Sequence, residues 1–220
     1  PSLAIFAQII ALVIAIPIGV LAANKRGSMT DATMMIFALL GMSIPSFLLA
    51  LLLVLLFGVQ LGWLPVAGYR AISDGLLEHL KYLILPAISL GMIQAALIAR
   101  MTRSSMLEVL NMNYIKSARA KGVKNFKLIV KHAFRNALLP ILTVVGQTFG
   151  SLITGAVVVE TVFNIPGIGQ LIINSVERRD FAVIQGVILF ITFLYIVLNL
   201  IIDILYGIVD PRVRLDRKGD

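Results

Sequence analysis

The chain has 220 residues, of which 59% are hydrophobic and only 14% are charged. Soluble domains average about 45–50% apolar and about 25% charged residues, so this composition excludes an ordinary soluble globular protein. It also excludes a disordered chain, which needs low hydrophobicity and high charge. The absence of cysteine excludes disulfides and thiolate metal sites, and a net charge of +8 in so apolar a chain suggests charge sorting across a bilayer. The composition predicts an all-α integral membrane protein.

Five apolar segments are long enough to cross a membrane as helices, since about 20 residues span about 30 Å of hydrocarbon. Pro17 and Pro45 lie inside the first two segments, where each is expected to kink its helix. The first segment is already apolar at Leu3, with no Met before it. We therefore expect an N-terminally truncated piece of a longer protein with at least one earlier span, six in all. The five segments are residues 3–23, 32–57, 82–99, 138–159 and 181–208.

The connections between these segments predict their orientation. If successive spans alternate in direction, residues 24–31, 100–137 and 209–220 lie on one side, and these hold fifteen of the 19 Lys and Arg residues. Acidic residues divide equally between the two sides, and an excess of Lys and Arg marks the cytoplasmic side. We expect the basic loop and the C-terminal tail to be cytoplasmic, and residues 1–220 to form one transmembrane domain.

The basic loop 100–137 is expected to form two helices that separate at Gly122, where glycine permits the positive φ of a sharp turn. The first helix, about Ser104 to Lys121, contains neither Gly nor Pro. In the second helix, residues at helical spacing predict one apolar face, formed by Val123, Phe126, Val130, Ala133 and Ala137. The pattern alone leaves three functions open: lying on anionic lipid, docking a soluble partner, or binding nucleic acid, although few aromatic side chains are present to stack on bases.

Polar groups inside the apolar segments have two interpretations. Asp203 is the one acidic residue deep in a span, and Asn199 lies one turn earlier on the same face. Gln147 and Gln94 are similar cases in the fourth and third segments. Each of these groups could line a passage or fix helix packing by hydrogen bonding.

Glycines mark two further features of the last third of the chain. Gly146 and Gly150 are spaced for close helix approach, either to this chain's own helices or to a second subunit. Further on, a glycine- and proline-rich turn on the outer side follows an aromatic residue, so that we expect either an ordinary loop or an apolar plug. The residues of this turn are Phe163, Pro166, Gly167 and Gly169.

No arrangement of catalytic or metal-binding residues is recognisable. The two histidines, His79 and His132, fall on opposite sides of the expected membrane, and the chain has no zinc-type HExxH pair, no serine nucleophile turn and no Walker phosphate loop. We expect no bound metal and no catalysis, so that energy for any active transport must come from another polypeptide.

Two stretches of the basic loop resemble the cytoplasmic signature loop of ABC-importer permeases, above all those of the dipeptide/oligopeptide/nickel family. They are Tyr114-Ile-Lys-Ser-Ala-Arg-Ala-Lys-Gly122 and Lys131-His-Ala-Phe-Arg-Asn-Ala-Leu-Leu-Pro140. Further segments are similar to other parts of that family: Gly68-Tyr69, Leu85-Pro86, residues 155–169, Arg179-Asp180-Phe181, Asn199 with Asp203, and Asp210-Pro211-Arg212 with Arg214.

The resemblance implies the ABC importer permease fold and a function in the cell membrane of a prokaryote. The chain would be the membrane-spanning subunit that forms the path for peptides, or for nickel or another small solute. It would assemble with a second permease, two cytoplasmic ATPases and an extracytoplasmic substrate-binding protein, and it would contact membrane lipid but no nucleic acid. ATP and Mg would be bound by the ATPases, and no cofactor by this chain.

The resemblance also assigns residue roles. The family's loop begins Glu-Ala-Ala and reaches a Gly a few residues later; here Lys116, Ser117 and Ala118 stand in the first positions and Gly122 matches the Gly. Gln147, Asn199 and Asp203 become candidates for the translocation path or for packing, and the outer turn at Phe163 becomes a candidate gate or docking surface for the binding protein. The implied ATPase-coupling residues are Tyr114, Lys116, Ser117, Ala118, Arg119, Ala120, Lys121, Gly122 and Phe126.

Two other classes of protein remain as alternatives. One is a non-transporting membrane scaffold whose basic loop binds anionic lipid. The other is an intramembrane enzyme, which the lack of paired catalytic groups disfavours.

Overall fold

The computed structural model describes residues 2–209, apart from the side chains of residues 153–155 and 209. The expected cytoplasmic tail, with Asp210, Pro211, Arg212 and Arg214, lies outside the described residues. Over the described range the chain is helical and contains no β-strand. The helices are α1 (Ser2–Asn24), α2 (Met29–Ser43), α3 (Ser46–Leu53), α4 (Leu76–Leu110), α5 (Asn113–Ala120), α6 (Asn125–Lys127), α7 (Arg135–Gly155), α8 (Val157–Val162), α9 (Ile168–Glu177) and α10 (Phe181–Val209). Two π-helical segments, Val54–Gln60 and Leu128–Phe134, extend α3 and join α6 to α7.

Within the described range, four continuous helices are long and apolar enough to cross a membrane: α1, α4, the helix Asn125–Leu152 and α10. The second predicted span, residues 32–57, is instead two helices, Met29–Ser43 and Ser46–Gln60, bent by 98°. Ile44 and Pro45 are extended at this break, because proline lacks the N–H for a helical hydrogen bond and disfavours helix at the residue before it. The predicted kink at Pro45 is confirmed, and the bent pair supplies the fifth crossing if it counts as one span. Pro17, by contrast, lies inside a continuous α1.

Helices α1 and α4 pack through small residues. The buried face of α1 repeats alanine and glycine at intervals of three or four positions, namely Ala4, Ala7, Ala11, Ala15, Gly19 and Ala22. A Cβ added to Gly91 of α4 would lie 2.8 Å from the Ala7 carbonyl oxygen, and one added to Gly19 would lie 2.7 Å from that of Ala99. Small residues bring the two backbones into direct contact, the packing mode that drives helix association in membranes.

The connecting segments divide between the two ends of the bundle. At one end, Asn125 Nδ2 donates to Asn24 Oδ1 at 3.4 Å. At the other, the Gly68 N–H donates to the Phe163 carbonyl oxygen at 2.7 Å. This is the grouping that alternating crossings require.

The predicted bounds of the first helix in the basic loop are wrong. Instead of running from about Ser104 to Lys121, the chain continues α4 to Leu110, breaks, and starts α5 at Asn113, with Met112 extended between them. The break turns Ile115 inward, where only 1% of it is exposed. Tertiary packing therefore overrides the local helix propensity on which the prediction depended.

The apolar face predicted for the second loop helix is also wrong in part. Ala133 and Ala137 are fully buried, but Val130 is 48% exposed and Phe126 is 79% exposed, while Leu128 and Ile129 are buried instead. The reason is the π-helical segment Leu128–Phe134, whose wider turn shifts every preceding residue around the helix axis relative to a regular α-helix.

Candidate coupling and translocation site

Helix α5 presents an exposed cationic surface, while its other face packs against the bundle. Ile115 is buried in the core with Met106 and Val109 of α4 and Leu128 of the π segment, and Ala118 packs against the same cluster. The remaining residues implied as ATPase-coupling residues are all exposed: Tyr114, Lys116, Ser117, Arg119, Ala120, Lys121, Gly122 and Phe126. Over the described part of the chain, no ion pair neutralises the cations among them.

A glycine turn ends α5 as predicted. Gly122 has a φ of +79°, a conformation that side chains with a Cβ rarely adopt. The Val123 N–H donates to the Ala118 carbonyl at 3.2 Å and the Gly122 N–H to the Arg119 carbonyl at 3.0 Å. These two bonds form a Schellman motif, which satisfies the last carbonyls of the helix and fixes the direction of the following chain.

Tyr114 ties α5 to the next helix. Its hydroxyl oxygen accepts a hydrogen bond from Asn136 Nδ2 at 2.7 Å, and Asn136 also donates to the His132 carbonyl at 2.9 Å. With Ile115 beside it in the core, the helix is held at two adjacent points, so that α5 and the start of α7 form one body.

The sequence analysis missed an ion pair between α2 and α4. Arg103 donates from Nε to Asp31 Oδ1 at 2.6 Å and from its Nη2 to Oδ2 at 2.7 Å. Asp31 is buried and also accepts from the Gly27 N–H at 3.0 Å, while the Ser28 side chain caps its helix. An acid followed 72 residues later by an arginine has no signature in a single sequence, so this bidentate pair could not have been found there.

A polar groove runs between α4 and α7. It has a volume of about 620 Å³. Gln94 Nε2 donates across it to Ser151 Oγ at 3.0 Å, and nearby Gln8 of α1 donates to Thr148 Oγ1 at 3.3 Å. The lining residues are Gln94, Leu97, Arg100, Met101, Arg103 and Ser104 of α4 with Val144, Gln147, Thr148 and Ser151 of α7.

The structure brings only one of the three candidate path residues to this groove. Gln147 lines it with an exposed side chain. Asn199 and Asp203 lie on α10 and are both exposed outside the groove. Neither side chain is buried among the residues that the structure describes.

The glycine pair in α7 contacts α10 of the same chain. A Cβ on Gly150 would lie 2.6 Å from Cε2 of Tyr195, and one on Gly146 would collide with Ile202 of α10. Tyr206 also donates to Thr143 Oγ1 at 2.7 Å. Of the two alternatives for Gly146 and Gly150, packing within this chain is the one that the structure contains.

The glycine- and proline-rich turn that follows Phe163 is held by buried side chains and a hydrogen bond. Phe163 is buried with Leu3, Leu83 and Val159, while Pro166 is exposed. Glu160, also buried, accepts from the Gln170 N–H at 3.1 Å in the first turn of α9.

The glycines of this turn allow close approach of α8. A Cβ on Gly167 would collide with the Glu160 carboxylate, and one on Gly169 would lie 2.5 Å from Cγ2 of Val157 and 2.9 Å from Oε2 of Glu160. Helix α9, which the sequence analysis did not predict, begins directly after Gly167.

No group of three or more His, Asp or Glu side chains that could hold a metal ion occurs among the residues that the structure describes.

Comparison with known proteins identifies relatives over nearly the whole chain. Residues 15–215 match the profile of the family described as binding-protein-dependent transport system inner membrane component. A putative peptide transport system permease protein of Brucella abortus is 50% identical over 215 residues, covering 98% of this chain and 68% of the relative. The di/tripeptide transport system permease protein DppB of Pseudomonas aeruginosa is 46% identical over 219 residues, covering 90% of this chain and 65% of the relative.

Among solved structures, inward-facing conformations of the MetNI methionine ABC transporter are similar. The TM-score is 0.77 at 20% sequence identity, covering 95% of this chain and 92% of that chain. At this identity the likeness concerns the fold.

Proposed function

Because the chain belongs to the family of binding-protein-dependent transport system inner membrane components, we propose that it is the permease subunit through which an ATP-driven ABC importer carries short peptides. It is a multi-pass membrane protein and a transport subunit rather than an enzyme. Its relatives in Brucella and Pseudomonas are named for peptide and di/tripeptide transport, which supports peptides over nickel or another small solute.

The observation that carries the proposal is the polar groove between α4 and α7. Gln147 is exposed inside the predicted span 138–159, and Arg100 and Ser104 are exposed just beyond the end of the predicted span 82–99. A polar side chain at membrane depth, such as that of Gln147, faces a cavity or another protein chain rather than lipid. The groove is therefore proposed as this subunit's wall of the solute path, which a second permease completes.

Helix α5 is proposed as the surface that docks the ATPase. Its exposed cations and the Gly122 turn face away from the bundle, while Ile115 and Tyr114 hold it to α4 and α7. ATP binding that draws the two ATPases together would then move α5 as a rigid body and with it the spans, switching the path between its two openings. ATP must favour one state through contacts that differ between the two states at this surface.

The remaining roles follow from this arrangement. The end of the bundle that carries α5 would be cytoplasmic, with ATP and Mg bound by the partner ATPases and no cofactor by this chain. The anchored turn at Phe163, Pro166, Gly167 and Gly169 would be the docking surface or gate for the extracytoplasmic binding protein. Asn199 and Asp203 would contact the second permease or its side of the path, because a carboxylate exposed to lipid is unfavourable.

The test is uptake by cells with the gene deleted. Labelled dipeptide, tripeptide and nickel uptake are measured with and without re-expression. We expect peptide uptake to be lost and then restored by the wild-type gene. Loss of nickel uptake alone would keep the permease and change its solute.

Co-purification in detergent separates a transporter from a lipid-binding scaffold. The full-length protein is expected to bring a second permease and an ATPase with it. If it purifies without an ATPase, and peptide uptake is unchanged by deletion, the transport proposal is wrong.

A further inference from the structure

The groove between α4 and α7 lies toward the end of the bundle that carries α5. Its lining residues on α4 run from Gln94 to Ser104, a rise of about 15 Å at 1.5 Å per residue. Gln94 falls inside the predicted span 82–99, while Arg100, Arg103 and Ser104 lie just beyond its end. The groove thus leads out of the predicted span toward the end proposed to be cytoplasmic.

Two arginines line this groove, and their charges are not equivalent. Arg103 is paired with Asp31 through its Nε and Nη2 atoms, which lie 2.6 and 2.7 Å from the two carboxylate oxygens. The charge of Arg103 is therefore neutralised and its orientation fixed. Arg100, one turn earlier on α4, is exposed and has no hydrogen-bond or ion-pair partner among the described residues.

No carboxylate faces Arg100 from the walls of the groove. The ten lining residues include no Asp or Glu, and α7 contains none along its whole length. Among the described residues, the acid that pairs with a cation of the groove is Asp31 of α2, and Arg103 occupies both of its oxygens. The groove therefore carries one net positive charge, surrounded by neutral hydrogen-bonding groups.

We infer that Arg100 receives the C-terminal carboxylate of the peptide as it passes through the groove. This inference rests on the proposed peptide transport. A guanidinium binds a carboxylate through two parallel hydrogen bonds, and the amides of Gln94 and Gln147 with the Ser104 hydroxyl offer donors and acceptors to the peptide backbone. Because Arg100 is exposed, the contact is weak enough for release, which a transport path requires.

The experiment uses the complete transporter in proteoliposomes, with loaded binding protein at saturation so that the permease step limits uptake. The probe is labelled trialanine, whose only charges are its termini. We expect Arg100→Gln to lower the maximal uptake rate about ten-fold, the usual effect of losing a hydrogen bond to a charged group, and Arg100→Lys to lower it less. Arg178→Gln, an exposed arginine at the opposite end of the bundle, is the matched control and is expected to match wild type.

Moving the charge distinguishes recognition from a structural role. Gln147 faces the same groove from α7, so Gln147→Arg added to Arg100→Gln is expected to restore part of the lost rate. In the wild-type background, Gln147→Glu and Gln147→Lys both remove the Gln147 amide from the groove. Gln147→Glu also places a competing carboxylate opposite Arg100, so it is expected to slow uptake more than Gln147→Lys does. If Arg100→Gln fails to assemble, the comparison of Gln147→Glu with Gln147→Lys still tests the role of Arg100.

The outcomes separate the two proposals. If wild type moves trialanine and Arg100→Gln moves it equally fast, or if Gln147→Glu and Gln147→Lys act alike, the role of Arg100 is wrong and peptide transport stands. If wild type moves no trialanine, peptide transport fails and the inference fails with it.

Discussion

At the scale of single residues, the backbone conformation of Gly122 bears on the proposed coupling of ATP hydrolysis to uptake. Its φ is +79°, and nothing lies within 4 Å of an added Cβ, so Gly122→Val introduces backbone strain of about 1–2 kcal/mol without a clash. We expect this variant to hydrolyse ATP while peptide uptake falls, because the α5 turn no longer holds its direction. ATPase activity and uptake are measured on the same preparation.

Gly62→Val is the matched control for that substitution. Gly62 has a φ of +63° and equally open surroundings, but lies at the opposite end of the bundle. It is expected to keep hydrolysis and uptake coupled. Undiminished uptake by Gly122→Val would remove the coupling role from this turn.

The ion pair between Asp31 and Arg103 is a stability determinant. Asp31→Asn leaves the arginine without its anion, at a site where the Asp31 side chain is 7% exposed and the Arg103 side chain 28%. Breaking a fully buried pair costs about 3–5 kcal/mol, and partial exposure of the arginine reduces this to about 2 kcal/mol. Thermal unfolding in detergent should show a clear fall in midpoint, while Glu78→Gln, which breaks a pair exposed on both sides, should change little.

At the scale of elements, the one buried side chain of α5 is Ile115, beside the hydrogen bond that Tyr114 accepts from Asn136. Ile115→Ala removes an isoleucine that is 1% exposed, a loss of about 2–4 kcal/mol of packing. We expect the helix to loosen and ATPase co-purification to fall. Val130→Ala, on the neighbouring π segment and 48% exposed, is the control; equal ATPase recovery from both variants would show that α5 needs no anchor to dock.

The elements also show what a sequence can and cannot predict. Length and apolarity were sufficient for α1 and α10, and the chemistry of proline located the break at Pro45, because each signal is local. The π segment was not predictable from spacing, since a wider turn depends on the packing of Leu128 and Ile129 against α4, and so Phe126 and Val130 were assigned to the wrong face. The positive φ at Gly122 was confirmed, while the groove escaped notice because it joins residues of two helices about 50 positions apart.

At the scale of the whole molecule, the proposed orientation can be tested with introduced cysteines, since residues 1–220 contain none of their own. Lys116 and Ile72 are exposed at opposite ends of the bundle. A single cysteine introduced at either position shows which side of the membrane that end faces. We expect a membrane-impermeant maleimide to label Ile72→Cys in intact spheroplasts and Lys116→Cys only in inverted vesicles. The reverse pattern would invert the topology and place α5 away from any cytoplasmic ATPase.

If α5 moves as proposed, α4 would tilt with it as a rigid lever. Its 35 residues measure about 52 Å, and α1 braces it along much of that length through direct backbone contact. One end of α4 packs under α5 through Met106 and Val109, and the other carries Leu83 and Leu85 against the buried Phe163. A tilt of about 10° about its middle moves each end by about 4–5 Å in opposite directions, given that length. Narrowing of the solute path at one face of the membrane would then accompany its widening at the other face.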